Sequence, residues 1–326
     1  MKATIIHTIT VIAHGVDPHA PELPYKSTKS SPGYEEYYPR FKITSGWRPA
    51  DDASPEILVR IKRLRDVFIV VEVSAPFVID SAEAVLAKKN QLNDIATTIA
   101  VEHGSLSLME QFSFYCFSEY DDIDKFISEH RLLMTQLLRD ESAVLTDTEI
   151  DSTLAGSVRY EADDLVVVDW DGAALFDMGG EFEDDLALLE VANVQILSLR
   201  ALDNELTREL DRFREQGNIG AAGVWRLSRT LRSIVATRTT SLLELDAIDS
   251  AMKLYGEWYD ARVYQLVARK LYLERWRETV GGKLSTLEKM FEMVSSRQGE
   301  IYNIILEITI VVLIVIEIVM ALAGHA

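Results

Sequence analysis

LVVVDWDGAALFD, residues 165–177, is two short apolar runs on either side of Trp170, Asp171 and Gly172. An Asp-Gly pair between apolar runs is the strongest short-range signal for a β-hairpin. The turn is therefore placed at Trp170-Asp171-Gly172, with strands at 165–169 and 173–177. Working back from it, residues 3–13 alternate β-branched with smaller or polar residues and read as a first strand. Val67–Val73 (VFIVVEV) and Phe112–Phe117 read as buried strands. Asp80–Ala100 and Asp121–Arg139 have helical periodicity behind acidic caps. Ser54-Pro55-Glu56 has the form of a helix start opening PEILVRIKRLRD. Residues 1–180 are thus expected to be an α+β domain, with one mixed or antiparallel sheet and helices on one face.

Between the first strand and that helix start, residues 14–40 hold five prolines amid Ser, Gly and Tyr. Such composition is a long loop. Tyr25, Tyr34, Tyr37 and Tyr38 make it the candidate for partner contact, the plainer reading being a loop packed on its own domain. His14 and His19 have no third ligand near them, and no metal site is expected.

Beyond Gly179-Gly180 the pattern changes to three- and four-residue apolar spacing: Leu186, Leu189, Ile196, Leu199, Leu202, Leu206, Leu210 and Phe213, and later Tyr259, Val263, Leu266, Leu273, Val280, Leu284 and Leu287. Residues 181–300 are expected to be long antiparallel helices forming a hairpin or coiled-coil stalk. Ile304–Ala323 (IILEITIVVLIVIEIVMALA) is then twenty residues of Ile, Val, Leu and Ala, about the length that spans a bilayer. The expectation is a single transmembrane tail anchor over 301–326. Lys283, Lys289 and Arg297 precede it and no Lys or Arg follows, so the bulk of the chain is placed at the cytoplasmic face of the inner membrane. Glu307 and Glu317 lie inside the run, where a carboxylate is costly unless protonated or packed on another helix. They are read as a helix-contact side between copies.

With 52 acidic and 33 basic residues the formal charge is −19, which repels nucleic acid and anionic lipid. The single cysteine, Cys116, excludes an internal disulfide and is read as a core thiol. No phosphate loop, dinucleotide fingerprint, HExxH or GxSxG motif is present, and Asp169 and Asp171 are read as turn residues. No enzyme, cofactor or metal is expected.

The order of parts resembles the family named for its requirement in meiotic nuclear division (RMND/Rmd). LEITIVVLIVIEIVMAL (306–322), the 165–177 hairpin and LYLERWRETVGGKLSTLEKMFEMVSSR (271–297) carry the likeness. It implies a membrane-anchored, self-associating, non-enzymatic protein, some relatives of which support mitochondrial translation. The functional expectation is a homo-oligomeric scaffold with an unknown protein partner. Two alternatives stand beside it: an oligomeric proton or ion path through Glu317, and a small-ligand sensor or unrecognised enzyme in the α+β domain.

Overall fold

Ala3–Ala13 (β1) is the centre of the sheet in a computed structural model of the chain, and its β-branched residues pair on both sides. Residues 3–13, 42–52, 54–64, 67–216 and 259–290, with 292 and 310, are described. The chain divides into two compact units, Met1–Ala201 with Leu243–Arg277, and Leu202–Leu242 with Glu278–Ala326.

The first unit is built on one eight-stranded mixed sheet. Its other strands are Lys42–Pro49 (β2), Leu58–Leu64 (β3), Phe68–Phe77 (β4), Gly104–Phe117 (β5), Ser157–Val158 (β6), Asp164–Val168 (β7) and Gly172–Asp177 (β8). They lie in the order β2-β3-β4-β1-β5-β8-β7-β6. All neighbours are antiparallel except β5 and β8, which run parallel.

Ala82–His103 (α1) starts where the Ser81 hydroxyl accepts from the Ala84 amide, and it runs into β5 at Gly104 without a loop. A side chain at Gly104 would meet the Ile12 carbonyl at 2.5 Å, so only glycine allows this helix-to-strand passage beside β1. Val85, Leu86, Leu92, Ala96 and Ala100 pack on alternate residues of the sheet, among them Ile5, Ile9, Ile61, Val71, Tyr115 and Phe117. Ile123–Glu129 (α2) and Arg131–Leu138 (α3) lie on the same side; Asp147–Leu154 (α4) follows. The expected helix over 121–139 is thus two, broken at His130.

The part of Glu183–Gln216 (α5) that belongs to the first unit, residues 183–201, covers the other face. Arg60 and Lys62, which alternate with Val59 and Ile61 along β3, reach Glu183 and Glu190 of α5. Helices therefore flank the sheet on both faces, not one. The helix expected from Ser54-Pro55-Glu56 is also corrected: those residues form a turn, and LVRIKRL is β3. Its basic residues gave an amphipathic-helix pattern because their partners are distant in sequence.

The expectation of a long coiled-coil stalk is corrected as well. Every residue from Leu186 to Leu199 of α5 is buried, including Glu190, Asn193, Gln195 and Ser198. A coiled coil buries one seam and solvates the rest. Two of these polar residues are satisfied inside the first unit: Asn193 donates to the Leu189 carbonyl at 3.0 Å, and Tyr264 of Tyr259–Lys270 (α6) donates to Gln195 at 2.7 Å. In the second unit, Lys283 reaches Asp203 at 2.5 Å and Thr207 at 2.7 Å, beside buried Leu206, Leu284 and Leu287.

The single-pass membrane anchor is corrected too. Among the described residues no helix is long and apolar enough to cross a membrane. The long buried stretch of α5, residues 186–199, follows three acids in the first turn of the helix and lies against the sheet. The inner-membrane placement falls with the anchor. Glu307 and Glu317 lie outside the described residues, as do Tyr25, Tyr34, Tyr37 and Tyr38.

Candidate functional site

The register across β1, β5 and β8 sets His7, Ser113 and Gly172 in one row. The His7 ring lies between the Ser113 hydroxyl, 2.9 Å from Nδ1, and the Asn93 side-chain oxygen, 3.2 Å from Nε2. With the Asn93 oxygen there, the ring carries its proton on Nε2 and Nδ1 accepts from the serine. His7 is 1% and Ser113 2% exposed. Burial first, then the Lys89 ammonium, pulls the His7 imidazole down to about 4. The ring is neutral over the physiological range.

Lys89 stands one turn before Asn93 on α1, so both face the row. Its ammonium is held by the Asp140 carboxylate at 2.5 Å. Asp140 lies just past α3 with φ +53, a left-handed conformation that costs a non-glycine residue of order 1 kcal/mol. Lys89 is 6% exposed, whereas Asp140 is open to solvent.

Tyr115, two residues along β5 from Ser113, is buried among these groups and its hydroxyl has no hydrogen-bond partner among the described residues. Burial, then the Asp140 charge, raises its phenol. Asp171 closes the row from the hairpin turn; its amide donates to Leu138 at 3.3 Å and its carbonyl accepts from Ser113 at 3.1 Å. Burial, then Asp140, pushes its carboxyl up to about 6. A side chain at Gly172 would meet the Ser113 carbonyl at 2.9 Å, so glycine keeps the turn tight against β5.

Of the turn residues singled out in the sequence, Asp171 and Gly172 belong to this cluster. Trp170 is exposed beyond it, its ring 6.0 Å from that of Tyr272. Asp169 faces elsewhere, accepting from Thr153 at 2.7 Å and pairing with Arg139 and Lys270. His7, Lys89, Asn93, Ser113 and Asp140 carried no signal of their own; only the polar His7 within an apolar strand hinted at a buried partner. Cys116 is buried, and burial raises its thiol. Among the described residues no group of His, Cys, Asp and Glu could hold a metal ion.

A serine hydroxyl on an imidazole that is oriented by an amide has the form of an activated nucleophile. Here the pair lies beneath the sheet surface and the imidazole is a weak base. The chemistry at the solvent edge is that of exposed Asp140, with half-buried Asp171 beside it and nearly buried Lys89 behind it.

Residues 67–183 match the family described as uncharacterized protein MJ0711, N-terminal domain. Uncharacterized protein MJ0711 of Methanocaldococcus jannaschii is 28% identical over 291 residues, 89% of this chain and 88% of that protein. The chain is a distant relative of it. The matched stretch holds Lys89, Asn93, Ser113, Tyr115, Asp140, Asp171 and Gly172, with His7 outside it. Neither finding links the chain to the meiotic nuclear division family. No solved structure matches.

Proposed function

We propose that the chain is a non-enzymatic adaptor whose first unit senses a small polar ligand at the His7–Lys89–Asp140 cluster. One observation carries the reading: a nearly buried ammonium, Lys89, has as counter-ion an exposed carboxylate on left-handed backbone. Releasing Asp140 relieves that backbone, and a ligand offering an acceptor to Lys89 takes its place. The ligand shifts the protein between the two arrangements by its preference for the open one. Below Lys89, Asn93 and the Tyr115 hydroxyl supply polar contacts that favour a hydroxylated or carboxylated compound over an apolar one. Burial of Ser113 and His7 supports binding rather than turnover. Self-association and an unidentified protein partner belong to the proposal, the former also suggested by the likeness of the hairpin and of 271–297 to the meiotic nuclear division family. The −19 charge speaks against nucleic acid as that partner.

Thermal denaturation of the full chain with small carboxylates, phosphates, amines and sugars tests this. One class is expected to raise Tm, by about 2.7 kcal/mol of stability at a hundredfold excess over Kd, and to leave Lys89→Met unmoved. A Tm unchanged by every class contradicts it.

A further inference from the structure

On the face of the sheet covered by α5, among the described residues, Arg60 and Lys62 meet the carboxyl groups of Glu72, Glu183 and Glu190. Glu72 of β4 accepts from Arg60 Nε and from Arg60 Nη2 at 2.8 Å, and lies 2.9 Å from Lys62 Nζ. Glu183 of α5 accepts from the outer side of Arg60 at 2.8 and 3.0 Å. Glu190, two turns further along α5, accepts from Lys62 at 2.8 Å. Glu72 and Glu190 are wholly buried, and Lys62 nearly so. The Trp47 ring lies 4.3 Å from the Arg60 guanidinium carbon, and buried Cys116 of β5 faces the same charges. Asp185, also on α5, is turned to Tyr259 of α6 at 3.4 Å.

Glu183 keeps 36% of its side chain exposed, so solvent shares its charge, whereas Glu72 and Glu190 lie in a dry interior, where an ionised carboxyl that is not fully held is costly. The geometry shows which of these two buried carboxyls is the less fully held. Glu72 has three charged contacts from two cations; Glu190 has one, and its Oε1 has no hydrogen-bond partner among the described residues. Both carboxyls touch the same ammonium, so their oxygens are no further apart than its two bonds laid end to end. We propose that Glu190 and Glu72 hold one proton between them, a buried proton-binding site that fastens α5 to β3 and β4. The proton resides on Glu190, while Glu72 stays ionised under Arg60 and Lys62. Loss of the proton places two carboxylates against one ammonium and loosens the grip of α5 on the sheet. The electrostatics agree: burial, then the Glu72 charge, pushes Glu190 up to about 8, while against burial Lys62 and Arg60 hold Glu72 below the usual carboxylate range.

The sign of the pH dependence follows. From 4.5 to about 8 the folded chain keeps a proton that the unfolded chain has released. This group's stabilisation therefore fades as pH rises through that window. The test is urea unfolding of the full chain, wild type beside Glu190→Gln and Glu72→Gln, across the same window. Glu190→Gln, a neutral stand-in for the protonated acid, is expected to fold and to lose this part of the pH dependence. Glu72→Gln is expected to lower the midpoint at every pH, because it leaves Arg60 and Lys62 short of an anion. Equal damage from both variants, or an unchanged pH profile in Glu190→Gln, overturns the proposal. If Glu190→Gln does not fold, the infrared spectrum of the wild type decides. A buried carboxylic-acid carbonyl band present below about 8 and lost above it is expected; no such band at neutral pH overturns the proposal.

Discussion

At the scale of single residues, the cluster depends on close approach and on burial. Gly172 stands where a Cβ would lie 2.9 Å from a backbone oxygen that cannot step aside. Gly172→Ala is expected to cost about 1–3 kcal/mol, in the range of overpacked sites, and chemical denaturation would measure it. His7 gives a pH signature of its own. Its folded-state value, about 4, lies below the ordinary 6.5. The unfolded chain therefore binds more protons between these values, so the stabilisation is whole above 6.5 and is lost as pH falls through 4. His7→Gln is expected to remove this acid-side loss, seen as a flatter unfolding midpoint between 6.5 and 4. An unaltered slope would show that the imidazole is not held neutral.

At the scale of elements, what the sequence made legible was local. The hairpin was readable because its turn chemistry and both strands lie within thirteen residues, 165–177. β1, β4 and α1 were readable from their own periodicity and caps. β3 was not, because the partners of its buried Arg60 and Lys62 are 12 to 128 residues away, and a basic residue with no partner in view reads as solvated. α5 was misread for the same reason: its apolar steps resemble a seam until Glu190, Asn193 and Gln195 are seen to be buried, with Lys62 and Tyr264 reaching them from other elements. The candidate site was least legible, since His7 and Ser113 are 106 residues apart and meet only through strand register. Leu189, fully buried in α5, discriminates the two readings of that helix. Leu189→Ala is expected to cost about 2–5 kcal/mol, as in a packed core, with no dependence on protein concentration. A loss that varies with concentration, measured by denaturant titration at several dilutions, would mean that the helix is buried between copies.

At the scale of the whole molecule, the first unit holds two buried polar systems on opposite faces of one sheet. On the α1 face Asp140 opens to solvent with Lys89 nearly buried behind it, and Lys62 and Glu190 are sealed beneath α5. Sensing is assigned to the first because its nearly buried ammonium is held by an exposed carboxylate on left-handed backbone. The central claim is that Asp140 occupies a ligand's place on Lys89. Its most direct test is isothermal titration of a compound that stabilises the wild type into Asp140→Asn and Lys89→Met. Asn keeps a side chain that tolerates left-handed backbone but removes the competing charge. The account predicts tighter binding to Asp140→Asn than to wild type and none to Lys89→Met. Equal affinity for all three proteins would contradict it.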